Sequence, residues 1–213
     1  MNDTLPNCDP LPIPSYADVR DDMLCIEAFL LGLGEDDERY PIAARVLTPQ
    51  LDGEPSRLER LAKVAYDYAY QCGDAASTEI HEFADAMVAL IYDLPEGGAD
   101  RGPLRFDKPG LFATTLEVAD ARRRLEDRSV SLVPSRQLAR LARVDEATME
   151  ALLMAEDNPA QPYGMSVAEY ASMDHGDRNY LYGQNWVCGL GDLQEWLGRL
   201  PGFIPSRATM AAN

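Results

Sequence analysis

The chain predicts an all-α fold in which an acidic helical domain is followed by a domain built around a three-helix unit with one short β-hairpin. Three observations lead there. Apolar residues recur at three- and four-residue spacing in one segment after another, the periodicity of helices that bury one face. A Gly/Pro-rich stretch of mixed charge, EGGADRGPLRFDKPG from Glu96 to Gly110, interrupts that pattern as a linker does. Beyond it, Pro134 to Leu153, PSRQLARLARVDEATMEALL, carries the spacing of two short helices joined by a tight turn. The predicted domains are residues 1–98 and 111–213, with 99–110 between them. With 213 residues, 46% of them apolar, the chain can bury a real core.

The elements follow in order. A proline-punctuated arm, Leu5 to Pro14, leads to Ser15, the candidate cap of a helix whose stripe is Val19, Met23, Ile26, Phe29 and Leu30 and whose end is Gly32 or Gly34. A short helix is expected at Pro41 to Leu47. Two stronger ones come next: EPSRLERLAKVAYDYAYQCG, stopped by Gly73, and AASTEIHEFADAMVALIYDL, stopped by Pro95 and Gly97-Gly98. The second domain opens with LFATTLEVADARRRLEDR, Leu111 to Arg128. Pro134 then starts a helix, since its missing N–H has no partner in a first turn anyway. Leu138, Ala139, Leu141 and Ala142 form its apolar face, Val144 sits in the turn, Asp145 caps the next helix, and Met149, Leu152 and Leu153 supply that helix's inner face. NPAQPYGMSVAEYASM predicts a loop and a short helix capped by Ser166. NYLYGQNWVCGLG, with Gly183 at its middle, predicts a β-hairpin, and GDLQEWLGRL a closing helix ended by Pro201.

The paired helices resemble the helix-turn-helix class of DNA-binding domains, with Leu111–Arg128 as the third helix and the hairpin in the position of a wing. Leu138 and Ala139 match the apolar and small residues of the first helix, Ala142 and Val144 bracket the turn, and Met149 and Leu152 match the recognition helix. The resemblance implies that the second helix enters the major groove while the first crosses the backbone. Two positions depart from the pattern. Arg143 stands where the family usually has Gly, so either it takes an unfavourable φ or the turn has another shape. Glu146, Ala147, Glu150 and Ala151 stand at the outward positions where side chains able to read base edges are usual.

Charge follows the same division. The chain has 19 basic and 36 acidic residues, a net charge of −17, which by itself opposes nucleic acid. Residues 101–143, however, hold ten basic and five acidic residues. Arg136, Arg140 and Arg143 share one helical face, and Arg122, Arg123 and Arg124 cluster one helix earlier. These six arginines, with Ser135 and Thr148, are the candidate DNA contacts. The competing reading is that the arginines pair with acids of the same chain, such as Glu126 and Asp127.

Other chemistry finds little support. His81-Glu82-Phe83-Ala84-Asp85 is similar to a zinc helix with its second histidine replaced, but His175 is the one other histidine and no third ligand has motif spacing. Asp174 to Asp177 reads as a turn. Gly32-Leu33-Gly34 and Gly189-Leu190-Gly191 lack the rest of a dinucleotide loop, and Tyr66, Tyr68 and Tyr70 read as core before they read as a stacking platform for bases. Neither a metal, a cofactor nor an enzymatic activity is expected. Cys8, Cys25, Cys72 and Cys188 are widely spaced, as in reduced cytosolic proteins. No apolar run is long enough for a membrane span and no signal peptide is expected, which predicts a cytoplasmic location. Two functions fit these readings. One is a DNA-binding regulator or accessory protein that dimerises or meets partners through its acidic helices. The other is a protein-interaction module, or acidic DNA mimic, in which the helix-turn-helix is structural only and the partner is basic.

Overall fold

A computed structural model describes residues 9–33, 54–72, 77–87, 110–127, 132–155, 158–173, 185–187 and 190–205. The protein is predominantly helical with little strand. Its contacts form two units, residues 13–120 and residues 1–12 together with 121–213. The division falls between Asp120 and Ala121, inside the helix Leu111–Asp127. Of the segment read as a linker, Gly110 is described and residues 99–109 lie outside the described residues, as do the expected helix at Pro41–Leu47 and the Pro95 and Gly97-Gly98 stop.

In the first unit, α1 (Tyr16–Leu33) begins where Ser15 Oγ accepts the Asp18 N–H at 3.1 Å, and Val19, Met23 and Ile26 are buried. Helix α2 (Arg57–Tyr70) is capped by Ser56, whose hydroxyl accepts the Glu59 N–H at 2.9 Å. Its stop is Gln71, in the left-handed region at φ 54°, and not Gly73 as the sequence suggested. Asparagine and glycine usually fill this role. Here the Gln71 side-chain amide donates to Tyr68 O at 2.7 Å and helps hold the turn. Helix α3 (Ser77–Glu82) closes at Phe83, after which residues 84–87 resume a helical path; Ile80, Phe83 and Met87 are buried as their spacing predicts. Helix α4 (Leu111–Asp127), which belongs to this unit as far as Asp120, starts beneath a long-range cap, the Asp22 carboxylate accepting the Phe112 N–H at 2.9 Å. Gly110 makes room for it, since a Cβ there would lie 2.3 Å from Asp22 Oδ2.

In the second unit, strand β1 (Leu132–Pro134) runs directly into α5 (Ser135–Ala142), with Pro134 as both the last strand residue and the helix cap position. The turn Arg143–Asp145 leads to α6 (Glu146–Leu153). Leu138, Ala139, Leu141, Ala142, Val144, Met149, Leu152 and Leu153 are all buried, so the apolar register read from the sequence holds across the pair. Strand β2 (Gln161–Pro162), helix α7 (Val167–Ser172), strand β3 (Asn185–Val187) and helix α8 (Leu190–Leu197) complete the unit. Ser166 caps α7 in a capping box with Glu169.

The strands form an antiparallel sheet of order β1-β3-β2. The segment expected as a local hairpin is therefore strand at Asn185–Val187, but its described partners are Val133 and Pro162 either side of Trp186. The reason is burial. Trp186 is 1% exposed and meets Tyr170 edge-on with ring centroids 5.2 Å apart, which places its strand in the centre of the sheet. The other half of the expected hairpin, residues 180–184, lies outside the described residues.

Candidate nucleic-acid interface

The turn between α5 and α6 is the centre of the candidate site, and Arg143 is its decisive residue. It adopts φ 55° and ψ 44°, the left-handed conformation that a glycine would take without strain. The left-handed position is thus filled in spite of the side chain. That side chain is spent inside the unit: Nε donates to Gly202 O at 2.7 Å and Nη1 to Leu11 O at 3.2 Å. In return Leu11 N–H donates to Arg143 O at 2.7 Å. Gly202 is required by the same closeness, since a Cβ on it would lie 2.0 Å from Ala142 O.

Arg122 also turns inward. It is 3% exposed, donates from Nη2 to Ile204 O at 2.8 Å and sits 6.0 Å from the centroid of the Phe203 ring. A guanidinium buried in this way does not reach a phosphate, so its reading as a DNA contact is corrected to that of an anchor for the C-terminal segment. Arg123, Arg124, Arg136 and Arg140 are half-buried and each is already engaged within the protein, as is Ser135. Thr148 is half-buried too. Its N–H and hydroxyl both donate to the Asp145 carboxylate, at 2.8 and 2.7 Å, and these two bonds hold the carboxyl below the usual aspartate range.

Helix α6 turns Glu146, Ala147 and Ala151 to solvent, while Glu150 is half-buried and accepts the Tyr170 hydroxyl at 3.3 Å. The face that a recognition helix presents is therefore acidic and small-residued. It offers no bidentate donor for a base edge.

His81 and Asp85 are exposed, and among the described residues no group of three His, Cys, Asp or Glu comes together; His175 and its acidic neighbours lie outside them. Tyr68 and Tyr70 are buried, and Tyr66 donates to Pro14 O at 2.9 Å while packing between Tyr16 and Tyr70, so the three are structural. Cys25 and Cys72 are free thiols, and Cys8 and Cys188 are outside the described residues. The first unit also holds an open cavity of about 370 Å³ bounded by Tyr16, Val64, Phe83, Arg60 and Lys63. Charges of both signs stand at its rim, with Glu59 paired to Arg20 at 2.7 Å and Lys63 paired to Asp67.

No protein-family model, curated protein or solved structure matches this chain. The residues that sequence reasoning missed are Leu11, Gly202 and Ile204, whose part is played by main-chain atoms. A proline-flanked arm and a glycine after Pro201 were the signals on offer, and neither names its partner.

Proposed function

We propose that this protein is a protein-interaction module that meets a basic partner through acidic surface, with its helix-turn-helix-like pair serving as a packing scaffold. The observation that carries the reading is the direction of charge at the candidate interface. Arg122 and Arg143 donate to main-chain carbonyls of their own unit, whereas Glu146 stands exposed on α6. A surface of that kind repels phosphates and attracts ammonium and guanidinium groups. The net charge of −17 extends the same preference over the whole chain.

A second reading, a DNA-binding regulator, draws support from the order of elements. A helix, a strand, two helices joined by a three-residue turn, and two further strands in the sheet order β1-β3-β2 follow an order that resembles a winged helix-turn-helix, with α7 inserted between the last two strands. Likeness of arrangement argues for fold and leaves function to the site.

Titration of the intact chain with a random-sequence DNA duplex and with a lysine-rich polypeptide, each at about 50 and 200 mM salt, separates the two. Interaction through acidic surface gives binding to the polypeptide that weakens with salt and no binding to the duplex. Duplex binding that weakens with salt by several units of logarithmic slope, as release of several counterions requires, overturns the first reading and installs the second.

A further inference from the structure

We propose that residues 9–12 are a releasable strap, held by a docking site on the second unit that reads an extended, proline-flanked main chain, and that a second copy of this arm displaces it. The inference stands apart from either functional reading. Its basis is the way Leu11 is held. The Leu11 N–H donates to Arg143 O at 2.7 Å, and the Leu11 carbonyl accepts from Arg143 Nη1 at 3.2 Å, so a single residue is gripped from both sides of its main chain. The same guanidinium is braced by Gly202 O at 2.7 Å, which fixes the direction of its fork.

The side chains of the arm contribute little. Leu11 is 51% exposed and Ile13 37% exposed, so apolar burial does not lock the strap in place. Pro10 instead lies against the bare face of Gly202, its Cβ 3.1 Å from where a glycine Cβ would be. Register is set by chemistry. In Asp9-Pro10-Leu11-Pro12 the two prolines have no N–H, and the donor between them is the one the site uses. A shift of one residue in either direction would put a proline nitrogen opposite Arg143 O. Prolines also pre-set the extended backbone, which lowers the ordering cost of docking, and this is how proline-rich segments are commonly bound.

A site that reads main chain and spacing accepts the same segment from another molecule. The measurement uses the isotope-labelled full-length chain and an unlabelled acetylated peptide, Asp-Pro-Leu-Pro-Ile-Pro, with the amide signals of Arg143 and Gly202 in the site and of Ile13 beside the arm followed by NMR. In the wild-type chain the tethered arm competes at an effective concentration of the order of millimolar, so the half-response falls in the millimolar range. In full-length Leu11→Pro, which removes from the tethered arm the donor that the site uses, the half-response is expected at about tenfold lower peptide. The same peptide with N-methyl leucine is expected to give no response in either chain. Arg143→Lys, which cannot brace on Gly202 and grip Leu11 with one fixed fork, is expected to weaken the response about fivefold with the helical signal intact. A concentration-dependent rise in the mass of the wild-type chain without peptide, absent from Leu11→Pro, marks exchange of arms between copies and supports the proposal. Equal responses in wild type and Leu11→Pro, or equal responses to the plain and N-methylated peptides, overturn it; should Leu11→Pro fail to fold, the wild-type comparison of the two peptides and the Arg143→Lys chain decide.

Discussion

At residue scale the molecule turns on exchanges between backbone strain and side-chain bonds. Arg143 in the left-handed region costs about 1 kcal/mol relative to glycine, and its guanidinium bonds to Gly202 O and Leu11 O offset that cost. Replacement by Ala loses both bonds and keeps the strain, whereas replacement by Gly loses the bonds and relieves it. Arg143→Ala is therefore expected to be less stable than Arg143→Gly by about 1 kcal/mol, with both below wild type, as measured by urea unfolding; a glycine variant above wild type would mean that the guanidinium bonds contribute nothing net. Asp145 offers a test by pH. Its carboxyl is held below the ordinary range by the Thr148 N–H, then by the Thr148 hydroxyl. A depressed folded-state pKa contributes stability that is present above the unfolded value, near pH 4, and is lost as pH falls through the folded value. Asp145→Asn, which caps without a charge, should melt below wild type at pH 7 and approach it near pH 2. A gap that stays constant over that range would show that the charge of Asp145 is immaterial.

At the scale of elements, what was legible in the sequence was local. Ser15, Asp145 and Ser166 lie within three residues of the N–H groups they accept, and the apolar spacing of α5 and α6 sorts buried from exposed residues without knowledge of the rest. What was not legible was bonding between residues far apart through main-chain atoms. Leu11 meets Arg143 across 132 residues and Arg122 meets Ile204 across 82, and a carbonyl carries no side-chain signature. The strand pairing failed for the same cause, since the pattern around Gly183 suggested a neighbour and Trp186 found distant ones. The candidate site suffered most, because the number of arginines is a property of sequence and their direction is a property of packing. The two faces of α6 give a direct check. Leu152→Ala removes a side chain that is 2% exposed and should cost about 2–5 kcal/mol, while exposed Ala151→Ser should change stability by less than about 0.5 kcal/mol. Comparable losses from both, in chemical denaturation, would mean that the outer face of α6 is covered.

For the whole molecule the governing quantity is charge. A net −17 on 213 residues sets up self-repulsion that favours expansion. Exposed ion pairs do little to offset it: Arg199–Glu195 has side chains 54% and 75% exposed, and a pair of that kind contributes about 0–1 kcal/mol. Screening should therefore help the folded state more than it harms it. Raising sodium chloride from about 20 to about 200 mM shortens the Debye length from about 20 Å to about 7 Å, which removes repulsion between acids on separate elements but leaves bonds at 3 Å nearly intact. The melting temperature is expected to rise across this range. A fall would mean that attractive pairs outweigh the excess of acids, and the charge argument for a basic partner would then lose its premise, because the acids would already be satisfied within the chain. A rise that a sub-stoichiometric lysine-rich polypeptide reproduces at about 20 mM salt, where the Debye length is longest, would tie stability and partner choice to the same unneutralised carboxylates.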